Sequence, residues 1–168
     1  TKTRIVGNLP YYITTPIITK LIESMARFES LTVMMQKEVG DRIAAEPGTK
    51  LAGAITYAVH YRCTVDKVCD VSRESFYPVP KVDSVVLRLN MRDKLAVQVN
   101  DENNFFRCIK AGFSMRRKTL LNSLQALDDV NKDVIKHALE SANIDPSRRA
   151  ETLTMEEFAE LSNSIWEE

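Results

Sequence analysis

Near its start the chain reads Ile5-Val6-Gly7-Asn8-Leu9-Pro10-Tyr11-Tyr12. A short apolar run thus ends in an amide, a proline-stiffened backbone and an aromatic ring. Those groups suit a flat base bearing an exocyclic amine. Such an amine is a poor nucleophile because its lone pair is delocalised into the ring. Two acceptors on its protons would localise that pair toward an incoming methyl group. The Asn8 side-chain oxygen can be one acceptor, and the backbone carbonyl of Leu9 or Pro10 the other. Tyr11 can stack on the base, an interaction worth about 1–3 kcal/mol. No strong base is needed, since the amine proton becomes acidic on alkylation; preorganised geometry does the work. The same tetrapeptide also suits a plain strand-to-helix turn.

These residues need an element on each side. Ile5-Val6 predicts a buried strand, and ligands of open α/β sheets sit at the carboxyl ends of strands. Thr15 with Pro16 predicts a helix start, Thr15 as the N-cap. Ile17, Ile18, Leu21, Ile22 and Met25 then recur at helical spacing. Leu31 to Met35 reads as a second strand leading into a brief helix at Lys37-Glu38 that ends near Pro47. Leu51 to Tyr61 reads as another helix, with Ala54, Tyr57, Ala58 and Tyr61 on one side. The period then falls to two. Val65 to Val71 is a strand, and Val85, Leu87, Leu89 and Met91 alternate with Val86, Arg88 and Asn90 in another. Between them, Phe76-Tyr-Pro-Val-Pro80 is a loop stiffened by prolines. Beyond Lys94–Asn104, a polar connector, the pattern is helical. Phe105, Phe106, Ile109 and Phe113 share a face, followed by Leu120, Leu121, Leu124 and Leu127. Val134, Ile135, Ala138 and Leu139 make a third helix. Thr154-Met-Glu-Glu157 is a capping box before Phe158, Leu161 and Ile165.

The 168 residues carry equal numbers of basic and acidic side chains, 23 each, so the sum says little about partners. The distribution says more. Residues 101–168 lean acidic, yet Arg107, Lys110, Arg116, Arg117 and Lys118 fall within one twelve-residue stretch that holds no acid. A basic run is often only a solvated face. This one lies between apolar helical stripes in an acidic setting, which favours phosphate binding. Cys63, Cys69 and Cys108 have no metal-ligand spacing and read as reduced thiols of a cytoplasmic protein. No apolar run approaches a membrane span. His60 and His137 stand apart from any cluster, and Met34-Met35 reads as core packing.

Asn8-Leu-Pro-Tyr-Tyr-Ile-Thr-Thr-Pro16 resembles the catalytic motif of ribosomal RNA adenine dimethyltransferases of the kasugamycin-resistance type. Four further segments match in order. They are Gln36-Lys-Glu-Val39, Phe76-Tyr-Pro-Val-Pro-Lys-Val-Asp-Ser84, Phe113-Ser-Met-Arg-Arg-Lys-Thr-Leu-Leu-Asn-Ser-Leu124 and Arg149-Ala-Glu-Thr-Leu153. The resemblance covers nearly the whole chain. It implies an α/β fold: the C-terminal part of a Rossmann-like methyltransferase sheet over residues 1–94, its last strand pair antiparallel, then a small all-α RNA-binding domain over 95–168.

The resemblance also implies roles. Asn8 would touch both the methyl donor, S-adenosylmethionine, and the target amine. Leu9 and Pro10 would supply backbone acceptors. Tyr11 and Phe76 would sandwich an adenine flipped out of its stack. Arg107, Lys110, Arg116, Arg117, Lys118 and Arg149 would meet phosphates of small-subunit ribosomal RNA, in the setting of the 30S subunit, with no metal and no membrane. Lys37, Arg42, Lys81 and Arg149 read equally well as local ion-pair partners. The implied reaction is dimethylation of the N6 amines of two adjacent adenosines near the 3′ end of that RNA, as part of small-subunit biogenesis.

Family members open with a glycine-rich strand–turn–helix for the donor, whereas Gly7, Gly40, Gly48, Gly53 and Gly112 form no such pattern. The first strand here then corresponds to the family's fourth, with roughly 100 residues expected upstream at about 30 per βαβ unit. The expectation is a target-recognition fragment, inactive alone, with an association-prone edge at Ile5-Val6. Two other readings stay open: a non-catalytic RNA-binding or ribosome-assembly module, and a large-subunit methyltransferase of the macrolide-resistance type. Phe76–Ser84 and Arg116–Lys118 fit the small-subunit enzymes better. DNA adenine methyltransferases typically carry Asp-Pro-Pro-Tyr, which Asn8-Leu9 does not match.

Overall fold

The central strands of this protein are apolar on alternate residues, and that pattern sets the architecture. A computed structural model describes residues 3–24 and 28–167. Over these residues it is a mixed α/β structure with one four-stranded sheet and seven helices. Strands β1 (Thr3–Asn8), β2 (Phe28–Gln36), β3 (Cys63–Val71) and β4 (Ser84–Met91) lie in the order β1-β2-β4-β3. β1 runs parallel to β2, and β4 runs antiparallel to both β2 and β3. The last strand pair is therefore antiparallel, as the resemblance implies. That β4 inserts between β2 and β3 was not legible from the chain.

Burial follows this order. In β2 Leu31, Val33 and Met35 are buried, and in β4 Val85, Leu87 and Leu89 are. β1 and β3 flank the sheet and are largely exposed. Helix α2 (Lys37–Ala44) starts as soon as β2 ends. It packs so closely on β4 that a Cβ at Gly40 would stand 2.1 Å from Val85 Cγ1. Only a residue without a side chain fits there. His60 is buried, its Nε2 3.0 Å from the Ile43 carbonyl, a partnered core histidine.

Several boundaries differ from the sequence expectation. Helix α1 spans Thr14–Glu23, with Ile13 rather than Thr15 at the N-cap and no side-chain cap. Thr14 instead turns its hydroxyl back onto the Pro10 carbonyl at 3.0 Å. Pro16 still falls in the first turn, where the missing N–H costs nothing. Met25 lies outside the described residues. Helix α3 (Ala54–Arg62) is buried on nearly all sides rather than one, since Ile55, Thr56 and Val59 are buried beside Tyr57 and Tyr61.

The chain divides into two compact units: residues 1–45 with 58–95, and residues 46–57 with 96–168. The segment 46–57 belongs with the helices because of Tyr57. Its hydroxyl lies 2.5 Å from the Leu153 carbonyl and accepts the Gly48 N–H at 3.1 Å. Its ring meets Phe158 edge-on at 5.0 Å and Phe113 at 5.4 Å. Gly48 has φ 86°, a left-handed turn that favours glycine.

The second unit is otherwise built from α4 (Glu102–Gly112), the short α5 (Leu120–Ser123), α6 (Lys132–Ser141) and α7 (Met155–Ile165). Side chains cap three of these helices. Asp101 accepts from the Asn104 N–H and Asn131 from the Val134 N–H, while Thr154 and Glu157 form the expected capping box. Phe105, Ile109, Leu120, Leu124, Ile135, Leu139, Phe158 and Leu161 fill the core. Val134, expected on the buried stripe of α6, is exposed, because Ile135, Ala138 and Leu139 already complete that stripe.

Candidate functional site

Asn8 ends β1, in register with Met34 of β2. The Leu9 N–H continues the pairing onto the Met34 carbonyl at 3.3 Å, and the chain then turns at Pro10 into α1. This turn makes one wall of an open pocket of about 390 Å³, lined by Asn8, Leu9, Pro10 and Tyr11. The opposite wall is the loop before β4, with Phe76, Tyr77, Pro78 and Pro80. Four residues singled out at the start of the chain thus share a cavity with Phe76, more than sixty positions later. Its volume falls within the usual range for small-ligand sites.

The polar groups of this pocket are unequally committed. The Pro10 carbonyl accepts two internal hydrogen bonds, from the Thr14 hydroxyl at 3.0 Å and from the Ile13 N–H at 3.2 Å. Among the described residues no donor meets the Leu9 carbonyl, and the Asn8 side chain is exposed and makes no hydrogen bond. The Tyr11 hydroxyl lies 2.6 Å from the Ser84 hydroxyl. Ser84 is fully buried at the start of β4. Next to it, the Asp83 carboxylate accepts the Arg73 N–H at 2.9 Å and the Asp83 carbonyl accepts the Lys37 N–H at 2.9 Å. Asp83, Ser84 and the fully exposed Tyr77 received no role from the sequence. Only the strand order brings Ser84 beside Tyr11.

The basic residues divide as well. Arg116, Arg117 and Lys118 are exposed in a tight turn between α4 and α5 and make no ion pair among the described residues. Two serines brace this turn. Ser114 Oγ donates to the Ala111 carbonyl at 2.7 Å, and Ser123 Oγ donates to the Met115 carbonyl at 3.4 Å. Lys110 and Arg149 are exposed too. Arg107 is exposed as well, but it has partners within the chain. It donates to Asn104 Oδ1 at 3.1 Å, pairs with Asp129, and lies 5.1 Å over the Trp166 ring. The Arg107 hydrogen bond holds the Asp129 carboxyl below its ordinary range. Lys37 bonds Asp41 at 3.0 Å with Asp70 at 3.6 Å, and Arg42 bonds Glu38 at 3.1 Å. Both thereby act as local ion-pair partners.

Burial pushes the Cys63 thiol up to about 11 and the Cys108 thiol up to about 12, so neither is a reactive thiolate near neutral pH. Among the described residues no group of three His, Cys, Asp or Glu could hold a metal ion. No described helix is long and apolar enough to cross a membrane.

Comparison with known proteins places this geometry. The family model described as ribosomal RNA adenine dimethylase matches residues 1–166. A ribosomal RNA small subunit methyltransferase A from Clostridium acetobutylicum is 53% identical over 163 residues, covering 97% of this chain and 59% of the relative. A protein of the same name from Bacillus mycoides is 48% identical, covering 96% and 56%. The chain thus spans rather more than half the length of the curated relatives it matches. Among solved structures, a dimethyladenosine transferase from Plasmodium falciparum superposes with a TM-score of 0.75 at 30% identity, over 95% of this chain and 65% of that one. A 23S rRNA methyltransferase, ErmE, superposes with a TM-score of 0.67 at 23% identity, a likeness of fold alone. With residues of two of the motifs gathered in one pocket and a family model spanning nearly every residue, the chain belongs to the ribosomal RNA adenine dimethylase family.

Proposed function

We propose that residues 1–168 carry the acceptor side of a small-subunit ribosomal RNA adenine N6,N6-dimethyltransferase, whose methyl donor is S-adenosylmethionine. The observation that carries this reading is the unequal commitment of the pocket's acceptors. The Asn8 amide oxygen and the Leu9 carbonyl are free to receive the two protons of an exocyclic amine, while the Pro10 carbonyl is occupied by Thr14 and Ile13. Held this way, the amine nitrogen presents its lone pair to an electrophilic methyl group. Pro10 then serves to aim the turn rather than to accept. Tyr11 and Phe76 supply the aromatic faces for a flipped base. Toward the donor these residues offer Asn8 at the end of β1. The donor itself supplies the methyl group as an electrophile.

The first compact unit is assigned to base recognition and the second to RNA binding through Arg116, Arg117 and Lys118, with Lys110 and Arg149 as further phosphate-binding residues. Arg107 is assigned instead to bracing α4. The proposed targets are two adjacent adenosines near the 3′ end of small-subunit RNA, and the proposed setting is subunit biogenesis.

The test is methyl transfer to unmodified small-subunit RNA by the protein that contains these residues. Asn8→Ala is expected to lower kcat at least a hundredfold, in the range typical for removal of one preorganised polar group that stabilises a transition state. RNA affinity should be kept. Undiminished transfer would refute the reading. RNA binding with no transfer by the unsubstituted protein would favour the assembly-module alternative.

A further inference from the structure

The two aromatic walls of the pocket come from segments more than sixty residues apart, and each is anchored to the same dipeptide. Ser84 Oγ lies 2.6 Å from the Tyr11 hydroxyl, across 73 positions of sequence. Asp83 Oδ1 accepts the Arg73 N–H at 2.9 Å, at the first residue of the short 3-10 turn Arg73–Ser75. That turn closes on Phe76, whose N–H meets the Arg73 carbonyl at 3.2 Å. The dipeptide is itself immobilised. Ser84 begins β4 in register with Gln36 of β2 and Val71 of β3, and the Asp83 carbonyl accepts the Lys37 N–H at 2.9 Å.

From this arrangement we infer that Asp83 and Ser84 are positioning residues that set the two faces of the base-binding slot, Ser84 by tethering the Tyr11 ring and Asp83 by fixing the turn that presents Phe76. The inference rests on the pocket taking a purine base. A tyrosine ring at the mouth of an open pocket is free to swing about its first two side-chain torsions. A hydroxyl–hydroxyl bond at its far end removes that freedom and leaves the face clear. Both hydroxyls can serve either as donor or as acceptor, so the tether places no formal charge beside the base. Ser84 is fully buried and β4 is a central strand, so the anchor point is rigid. The Asp83 bond is to a backbone N–H and needs an acceptor oxygen, not a charge.

The inference is tested with an RNA hairpin that carries 2-aminopurine in place of one of two adjacent adenosines and a fluorescent label at its 5′ end. Anisotropy of the label reports overall affinity, and quenching of 2-aminopurine reports stacking in the slot. Ser84→Ala and Tyr11→Phe are each expected to lower the stacking equilibrium about fivefold, the effect of one neutral hydrogen bond. Anisotropy should show the overall affinity falling by no more than the same factor, because phosphate contacts supply most of it. The double variant should be no worse than either single, since both remove the same bond. Asp83→Ala should weaken stacking similarly, and Asp83→Asn, which keeps the oxygen, should restore it. Wild-type quenching in Ser84→Ala, or additive losses in the double variant, overturns the Ser84 tether. Failure of Asp83→Asn to restore stacking overturns the Asp83 assignment. A hairpin that binds the unsubstituted protein without any quenching overturns the base-pocket reading and the inference together.

Discussion

The Thr14 hydroxyl donates to the Pro10 carbonyl at 3.0 Å, one helical turn back along the chain. The bond secures the start of α1, which has no side-chain N-cap. It also decides which carbonyl of the Asn8–Tyr11 turn is spoken for. Thr14 is buried, so its hydroxyl cannot find water instead. Thr14→Val preserves shape and deletes the bond. A loss of about 1 kcal/mol is expected in urea unfolding, since the Ile13 N–H still meets the same oxygen. An unchanged midpoint would show that the hydroxyl contributes nothing net.

Gly40→Ala should destabilise the sheet unit. The new Cβ would stand 2.1 Å from Val85 Cγ1 and 3.5 Å from Met35 Cγ, where helix and strand are already closely packed. Overpacking of this kind costs about 1–3 kcal/mol. Val85→Ala creates space at the same point, so the double variant should lose less than the sum of the two single losses in thermal unfolding. Simple additivity would mean that α2 shifts away at no cost.

The helical unit should show an alkaline limit set by Tyr57. Burial raises the Tyr57 hydroxyl from 10.0 to about 12. The folded state therefore favours the protonated phenol. The stability this contributes is complete below the unfolded value near 10 and is lost as pH rises from there through about 12. Tyr57→Phe leaves the Gly48 N–H and the Leu153 carbonyl without the ring's hydroxyl, at a cost of about 1–3 kcal/mol at neutral pH. The difference in stability between the two proteins should shrink above pH 10, followed by urea unfolding across the pH range. A difference that stays constant to pH 12 would contradict the burial-driven shift.

The basic residues should separate by salt dependence. Replacing Arg116, Arg117 and Lys118 together by alanine should reduce the slope of log affinity against log salt by about 2–3, near 0.9 for each phosphate no longer neutralised. The fold should be kept, as all three are exposed. Arg107→Ala should change that slope little and lower thermal stability instead. Its guanidinium is already engaged by Asn104, Asp129 and the Trp166 ring. Equal slope changes for the two variants would return Arg107 to the RNA-binding surface.

Much was legible from local pattern alone. Period-two alternation marks Val85, Leu87 and Leu89 as one buried face, because neighbouring side chains of a strand point to opposite sides. Thr154 and Glu157 announce a helix start through two hydrogen bonds that need only a three-residue spacing. The residue types of Asn8, Pro10 and Tyr11 suit the proposed base-holding turn, and the five ordered motifs match the family. What local pattern does not encode is partnership across long separations. Placement of β4 between β2 and β3 depends on which strands bury each other, and it brings Ser84 to Tyr11. The same holds for Tyr57, which draws 46–57 to the helices through Leu153, and for Arg107, held by Asp129 and Trp166. Residue type and spacing determined which groups suit the proposed chemistry. The fold decided how each is engaged: the Pro10 carbonyl is taken by Ile13 and Thr14 within one turn, whereas Tyr11 and Arg107 meet Ser84 and Asp129 only because the tertiary structure brings distant segments together.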